Sequence, residues 1–536
     1  MKASIAKWYH SKDVAFAIGV DELSIGGSKS YGPKAQKWDT FYWYRSKNDF
    51  WTIYWKPILD KNPWVKYSLG WVPSHTQFLG IRSYTEPKGV EKSELSWETE
   101  TGKAWIKEVM KPIFNYGNKH YDEYVFHGYF HELPFSYYFP YWSPDSIKPL
   151  PPYNNPGFFE LILKNTQKAF NHTWQHNATA LNTFPFGCGR PDSPAYLSRN
   201  KIYATGFWLD MKNVSKIDKS SGLKDTNHGI KTYKLPLGEE IEPEGTFYNN
   251  KQTHKAVIGD INYWHQDKEL FKISNCPLKP SDTDADSIIG VPYSLSLEGT
   301  TKNFKKRVNE MMSTHQNYDA PTLYYFMHAQ MDWIDALGGS SISHPIKSFL
   351  EEHKFPYLNR INLSKKLVKY SLLLILIALT SASVILNSYP LLLISFALII
   401  LGLLTRIKFY GLNARKHNKQ MAWLNKTHGN KLWATDLSTL AQYYDIRKKS
   451  VIKIKPGYKF EIDTSQCFEW SREIPVTIEL SGIKDRITSY YAIRNKKKIV
   501  FNRNFKQEND KLVIYELKVN PKHKRTFFGL IKQEET

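Results

Sequence analysis

Cysteine is scarce in this chain of 536 residues: Cys188, Cys276 and Cys467 are odd in number and far apart. No disulfide framework is legible in them, and a reducing compartment is the economical inference. Phosphate cradles are missing as well. Neither Gly-x4-Gly-Lys-Ser/Thr nor Gly-x-Gly-x-x-Gly occurs, which excludes the common nucleotide-binding loops. There is no Gly-x-Ser-x-Gly elbow, and the nearest look-alike, Gly26-Gly27-Ser28-Lys29-Ser30, has serine where the last glycine belongs. The first twenty residues hold Lys7, His10, Lys12 and Asp13, so they do not read as a signal peptide. No repeat of solenoid or propeller period is visible.

What the chain has in quantity is aromatic surface and positive charge. Aromatic residues make up 15%, which argues against disorder, and the formal net charge is +22. The excess is uneven. Residues 406–536 hold 28 basic against 13 acidic side chains, and residues 1–405 hold 45 against 38. A basic C-terminal region suits an anionic membrane surface first. Nucleic acid is the weaker reading.

Between Tyr370 and Thr405 there is no charge at all. One straight helix over that stretch would run about 54 Å, well beyond a hydrocarbon core of about 30 Å. Asn387-Ser388-Tyr389-Pro390 breaks it, so the expectation is a two-helix transmembrane hairpin over residues 366–408. Lys365, Lys366 and Lys369 precede it, and Arg406, Lys408, Arg415 and Lys416 follow. The positive-inside rule then puts both flanks in the cytoplasm of a bacterial inner membrane.

The expected fold class is α+β in three parts. An aromatic-rich β-containing domain spans 1–143, with Asp39–Ser46 and Asp49–Lys56 as a hairpin and Val65–Val72 as a further strand. Trp105, Val109 and Ile113 share one face of a short helix. A Pro-rich linker at 144–157 leads to an α+β domain over 158–365, with helices at Phe158–Trp174, Lys302–His315 and Thr322–Leu337. Beyond the hairpin, 409–536 forms a small basic α+β domain. It has a helical pattern from Leu412 to Tyr444 and antiparallel strands at Val451–Lys455, Val476–Leu480, Ile487–Ile493, Ile499–Phe501 and Leu512–Val519.

Candidate chemistry is sparse. His127 and His131 stand four apart with Glu132 beside them, and His172 and His176 repeat the spacing. The first set is not the zincin motif, since Gly128 follows His127, and hydrogen-bonded histidines are the better reading. His127, His131 and Glu132 nonetheless form the best catalytic cluster if the chain is an enzyme. Asp282-Thr283-Asp284-Ala285-Asp286 starts like a calcium loop but has Ser287 and Tyr293 where Gly and Glu belong. Cys188 in Phe186-Gly187-Cys188-Gly189-Arg190 reads as structural. Arg494, Lys496, Lys497 and Lys498 form a basic turn suited to phospholipid headgroups, as do the lysines and arginines flanking the hairpin. Aromatics among Trp38 to Trp55, if exposed, would suit a sugar- or peptide-binding face, but tryptophan this dense in strands reads first as core. No metal or cofactor is expected.

These readings point to a membrane-anchored protein-binding or accessory factor, of the immunity or secretion-associated kind met in interbacterial competition. Its partners would be the bilayer and a protein, with nucleic acid disfavoured. The alternatives are an enzyme acting on lipid or envelope substrate and a membrane-inserting toxin.

Overall fold

From Val14 to Val20 large and small apolar residues alternate, Val-Ala-Phe-Ala-Ile-Gly-Val, and all seven are buried. A strand with both faces buried belongs to the middle of a parallel sheet. The computed structural model describes residues 1–24, 55–73, 97–111, 123–128, 156–184, 193–207, 223–225, 231–234, 240–241, 259–260, 262–264, 288–297, 301–328, 381, 412–494 and 497–533. Strand β1 (Lys2–Ile5) comes first, and the alternating segment is β2 (Val14–Ser24). Strands β3 (Tyr67–Val72), β4 (Glu123–Phe126), β5 (Ala180–Phe184) and β6 (Ala204–Phe207) follow. Helices α1 (Lys56–Lys61), α2 (Glu100–Trp105, continued by a π-helical turn at Ile106–Met110), α3 (Pro156–Trp174) and α4 (Ser193–Arg199) lie between them.

An excursion holds a separate antiparallel sheet of β7 (Leu223–Asp225), β8 (Lys231–Lys234) and β9 (Glu240–Ile241). It also holds two short edge strands, β10 (Gly259–Asp260) and β11 (Asn262–Trp264). The parallel series resumes with β12 (Ile288–Ser296), α5 (Thr301–Thr314) and β13 (Pro321–His328). Neighbours pair in parallel through β2, β3, β4, β5, β6, β12 and β13, and β13 pairs back onto β2 from Thr322↔Ala15 to His328↔Asp21. Among the described residues this is a closed barrel with strands in chain order, separated by helices except between β6 and β12, where the excursion lies.

Two further helices complete this body. Helix α6 (Leu412–His428) packs with α1 and α5. The short β14 (Leu432–Ala434) pairs in parallel with the first residues of β2, Val14 to Phe16, below the point where β3 takes up pairing at Ile18. Helix α7 (Leu437–Lys449) follows, buried from Leu437 to Ile446 except at Thr439.

The alternation in β2 sorts the core. Its large residues Val14, Phe16, Ile18 and Val20 share a cluster with Leu69, Trp71, Phe170, Val308 and Met421, the layer between strands and helices. Its small residues Ala15 and Ala17 join Val125, Ala180, Ala204 and Val291 on the inner side. A closed ring of so few strands leaves little interior volume, so small residues fill it.

After α7 the chain builds two antiparallel sheets. One has the order β1, β17 (Ile474–Ser481), β21 (Lys511–Val519), β20 (Phe505–Glu508). The other has β15 (Val451–Lys455), β16 (Lys459–Asp463), β22 (Arg525–Lys532), β18 (Ile487–Arg494) and β19 (Lys497–Phe501). Phe460, Ile478, Ile514 and Phe528 pack between them as a β-sandwich, and this core is continuous with the barrel interior through Tyr443, Trp433 and Trp8.

Several expectations need correcting. In place of an α+β arrangement of independent parts, one parallel barrel takes strands from both sides of the Pro-rich 144–157 segment, with Phe126 pairing Leu181, and takes β14 from beyond residue 409. Thr322–Leu337 opens as strand β13 and not as a helix, because β-branched and aromatic residues fill a position buried on both faces. Leu412–Tyr444 is two helices interrupted by β14. The hairpin of Asp39–Ser46 and Asp49–Lys56 lies outside the described residues up to Trp55.

The two-helix transmembrane hairpin is likewise not supported. Among the described residues no helix is long and apolar enough to cross a membrane, and all of 366–408 except Ser381 lies outside them. The elements on either side of that stretch, β13 and α6, belong to one barrel body, whereas the hairpin reading required two separate domains. Placement at a bacterial inner membrane with both termini cytoplasmic rested on the hairpin and falls with it.

Trp8 joins the two bodies. Its Nε1 donates to the Pro321 carbonyl at 3.0 Å, its ring meets Trp433 and Tyr443 at 5.7 and 5.9 Å, and it is fully buried. Trp8→Ala is expected to lower unfolding free energy by about 3–5 kcal/mol, read from urea denaturation followed by circular dichroism.

Candidate functional site at the C-terminal end of the barrel

The two ends of the barrel differ. At the N-terminal end the first amides of α7 meet side chains from the strands. Ser68 Oγ, at the start of β3, accepts from Leu437 N at 2.7 Å, and Glu123 Oε1, at the start of β4, accepts from Ser438 N at 3.0 Å. Asp436 caps the same helix, its Oδ1 accepting from Thr439 N at 2.8 Å. Arg472, from the connection between β16 and β17, pairs with Asp436 at 2.6 Å. Among the described residues these groups and the buried Leu437 and Leu440 pack this end of the barrel.

Glu123 is buried there, and burial pushes its carboxyl up to about 8. The Asp436 charge adds to the rise, while Arg472 and the hydrogen bonds from Ser438 oppose it. The folded state therefore holds a proton that an unfolded carboxyl releases near pH 4.5. Stability contributed by that proton is present at low pH and is lost as pH rises toward 8.

Toward the C-terminal end the interior becomes polar. Tyr324 on β13 reaches across to β5, where its hydroxyl donates to Asn182 Oδ1 at 2.5 Å. Ser294 Oγ accepts from Tyr324 N at 2.9 Å and fixes the backbone from which the phenol projects. Gly19 is required beneath this pair, because a Cβ there would lie 2.2 Å from the Tyr324 hydroxyl and 2.3 Å from Asn182 Oδ1. Gly70 plays the same part on β3. A Cβ there would sit 2.7 Å from the Val20 carbonyl, 3.1 Å from Asn182 Nδ2 and 3.2 Å from His127 Cβ. Gly19, Gly70, His127, Asn182 and Tyr324 thus make one buried layer, drawn from five strands or strand ends.

Beyond this layer lie the strand ends where parallel barrels carry their sites. Asp21 on β2 is the register partner of His328 on β13. In sequence, Glu132 follows β4, Asp210 follows β6, Glu298 follows β12 and Asp332 follows β13. The segments leaving these ends are rich in aromatics: Trp38, Trp43 and Trp51 after β2, and Phe135, Tyr137, Tyr138, Phe139, Tyr141 and Trp142 after β4.

Of the residues singled out from sequence, His127 lies at the end of β4, its amide donating to the Trp71 carbonyl at 3.2 Å. Gly128 follows with φ of 82°, a left-handed conformation that glycine adopts without strain. His131 and Glu132 lie outside the described residues. His172 is on the exposed side of α3 against Trp97 at 5.2 Å. His176 lies beyond the end of α3, its Nδ1 at 2.8 Å from the Asn177 carbonyl, so the two do not share a helix face. Burial lowers the His176 pKa.

Cys188, the Asp282–Asp286 loop, Lys365, Lys366, Lys369, Arg406, Lys408 and Lys496 are outside the described residues. Arg415 and Lys416 are on α6, Arg494 pairs with Glu473 at 3.2 Å, and Lys497 and Lys498 are on β19. Asn182, Tyr324, Gly19 and Gly70 were not singled out from the sequence. The signal that marks them is the large–small alternation in β2, which makes Gly19 an inward position.

No family model matches the chain, and a search of curated proteins finds no match either.

The Glu123 arrangement gives a pH test. Wild-type stability is expected to fall between pH 5 and pH 8 by a few kcal/mol beyond the drift of a Glu123→Gln variant, whose amide carbonyl keeps the bond from Ser438. Urea titrations at several pH values across that window measure the difference.

Proposed function

We propose that this chain is a glycan-cleaving hydrolase whose substrate binds over the C-terminal end of the barrel. The observation that carries the reading is the closed parallel barrel with its N-terminal end filled by α7 and a polar layer of His127, Asn182 and Tyr324 toward the other end. The barrel argument is one of fold analogy, since a parallel barrel serves many chemistries. Two sequence features favour a sugar. Acidic residues occur in or after strands β2, β4, β6, β12 and β13, and hydrolysis of a glycosidic bond needs two such carboxyl groups. Aromatic residues are frequent in the same segments of the sequence, and aromatic rings are suited to the CH faces of sugars.

The polar layer has a defined part in this reading. The Tyr324–Asn182 bond fixes the Asn182 amide, so that its polar edges hold a set direction beneath the substrate. One carboxyl acts as the acid that protonates the leaving oxygen. The other acts as nucleophile or as the base that activates water. Asp21, Glu132, Asp210 and Glu298 are the candidates by chain position, and His127, the member of the earlier cluster described in the structure, is a positioning residue.

The test is reducing-sugar release from a panel of neutral and acidic polysaccharides by the purified chain. Asp21→Asn is expected to abolish release without altering the circular dichroism spectrum. Tyr324→Phe, which removes the bond to Asn182, should lower kcat/KM by about 10²-fold through misplacement of the amide. Absence of cleavage across the whole panel, or full activity in both variants, would sink the reading.

A further inference from the structure

Helix α6 carries a histidine into the apolar layer between strands and helices. His417 is fully buried. Its Nε2 lies 2.9 Å from the Tyr67 hydroxyl on β3, and its ring lies 5.8 and 5.5 Å from the rings of Tyr67 and Tyr325. Among the described residues its Nδ1 has no partner. One turn further along, Gln420 Oε1 accepts from the Tyr325 hydroxyl on β13 at 2.7 Å, and Gln420 Nε2 is likewise unpartnered. Donation from the Tyr67 hydroxyl to Nε2 places the single imidazole proton on Nδ1, the tautomer assigned because it strands the fewest polar groups.

The elements around this imidazole present neutral groups. Strand β3 gives Tyr67, β13 gives Tyr325, and Phe304 on α5 stands against Tyr325 at 5.8 Å. Toward α1, Trp55 meets the Tyr67 ring, and Asn62 is hydrogen-bonded to Asn418. Burial holds both phenols above their usual range, so neither supplies an anion. The carboxylates of the flanking helices lie at the surface: Asp60 on α1 pairs with Lys56, and Glu310 on α5 is exposed. The charges nearest in α6 itself, Arg415, Lys416 and Lys419, are positive. An imidazolium here would be buried without a countercharge, and its new Nε2 proton would turn the Tyr67 hydroxyl away. The docked helix therefore excludes the proton, and burial lowers the His417 pKa from 6.5 to about 3. Released into water, the same side chain takes a proton near 6.5.

The two strands that α6 covers are those whose inner sides carry Gly70 and Tyr324. Tyr325 reaches out to Gln420, and Tyr324 beside it reaches in to Asn182. We propose that α6 is an acid-released latch, docked on β3 and β13 at neutral pH and freed when His417 takes up a proton, which removes the support behind the polar layer. Docking is at full strength above pH 6.5 and is lost as pH falls toward 3, the opening constant rising about tenfold per pH unit between. Glu123, at the other end of the barrel, acts with the opposite sign. His428 at the end of α6 is half-buried, 3.2 Å from Asn309 Oδ1 on α5, and its lowered pKa adds a smaller effect of the same sign as His417. The latch is independent of the chemistry at the barrel mouth.

The test is amide hydrogen exchange of the full chain, read peptide by peptide by mass spectrometry at pH 7 and pH 5 and corrected for the intrinsic rate at each pH. Opening of Leu412–His428 is expected to rise about 25-fold over that interval, the factor for one group that moves from about 3 to 6.5 on release. Strands β17 and β21 of the sandwich should not follow. His417→Gln keeps a hydrogen-bonding group beside Tyr67 and cannot take the proton, so it should hold the rise below about threefold, whereas His428→Gln should leave most of it. An α6 that opens equally at both pH values, a full rise retained in His417→Gln, or an equal rise in every peptide would overturn the proposal. Should His417→Gln fail to fold, exchange at the imidazole Cε1 of the wild type decides. The His417 peptide is expected to show no titration step near pH 6.5 while the α6 amides stay protected, and a step there would overturn the latch.

Discussion

The first turn of α7 is the point on which the architecture depends. A helix begins with amides that have no partner inside the helix, and burying them unmatched is costly. Here the amides of Leu437, Ser438 and Thr439 are taken in turn by Ser68 on β3, Glu123 on β4 and the capping Asp436. Arg472 reaches the same cap from the sandwich. One turn of helix thereby fixes two barrel strands, closes the barrel floor and sets the sandwich against it. The carboxylates at this junction sit at the positive end of a helix, where negative charge is favoured, yet Glu123 is deep enough for desolvation to prevail.

Sealing one end gives the barrel a direction. The sealed end is joined by aliphatic and aromatic contacts that continue into the sandwich, while the other end holds hydrogen-bonding groups in a narrow space cleared by two glycines. Small inward residues in β2 and small or polar ones in β3 and β5 leave room for one long side chain to cross, and Tyr324 takes it. This division suits a body in which stability and chemistry are assigned to opposite ends. The sandwich shows a similar division between its faces. Its inner face is aliphatic and aromatic and continuous with the barrel core, and its outer face carries lysines, Glu461, the rings of Phe527 and Tyr491 and the exposed Ile493 and Val500.

The chain displayed its antiparallel part plainly and concealed its parallel part. In the sandwich, strands such as Ile474–Ser481 and Lys511–Val519 have one side in and one side out, and that alternation is visible in the residues. In β3 all six residues are buried, so no polar period marks the strand or its neighbours. Thr322 to Met327 is likewise buried on both faces, so no polar period distinguishes this strand from the helix that the pattern predicts. Helix α3 was legible because one face of it meets solvent. Closure of the ring was not legible at all, since pairing of β13 with β2 joins residues about three hundred positions apart. The uncharged stretch before α6 was persuasive for the opposite reason: long apolar runs suggest lipid, and nothing local reveals that the elements flanking them share a core. Asn182 and Tyr324 come together only in the closed barrel, and neither sits in a motif.

Strand β1 pairs Lys2 with Ser481 and Ile5 with Ile478. Strand β1 therefore finds its partner only after β17, nearly five hundred positions later, has been synthesised. Strand β2 waits as well, first for β13 and then for β14. During synthesis the growing sheet keeps an unpaired edge, which is the condition under which nascent chains stick to one another. A body of this topology folds late and depends on protection until its last strands emerge.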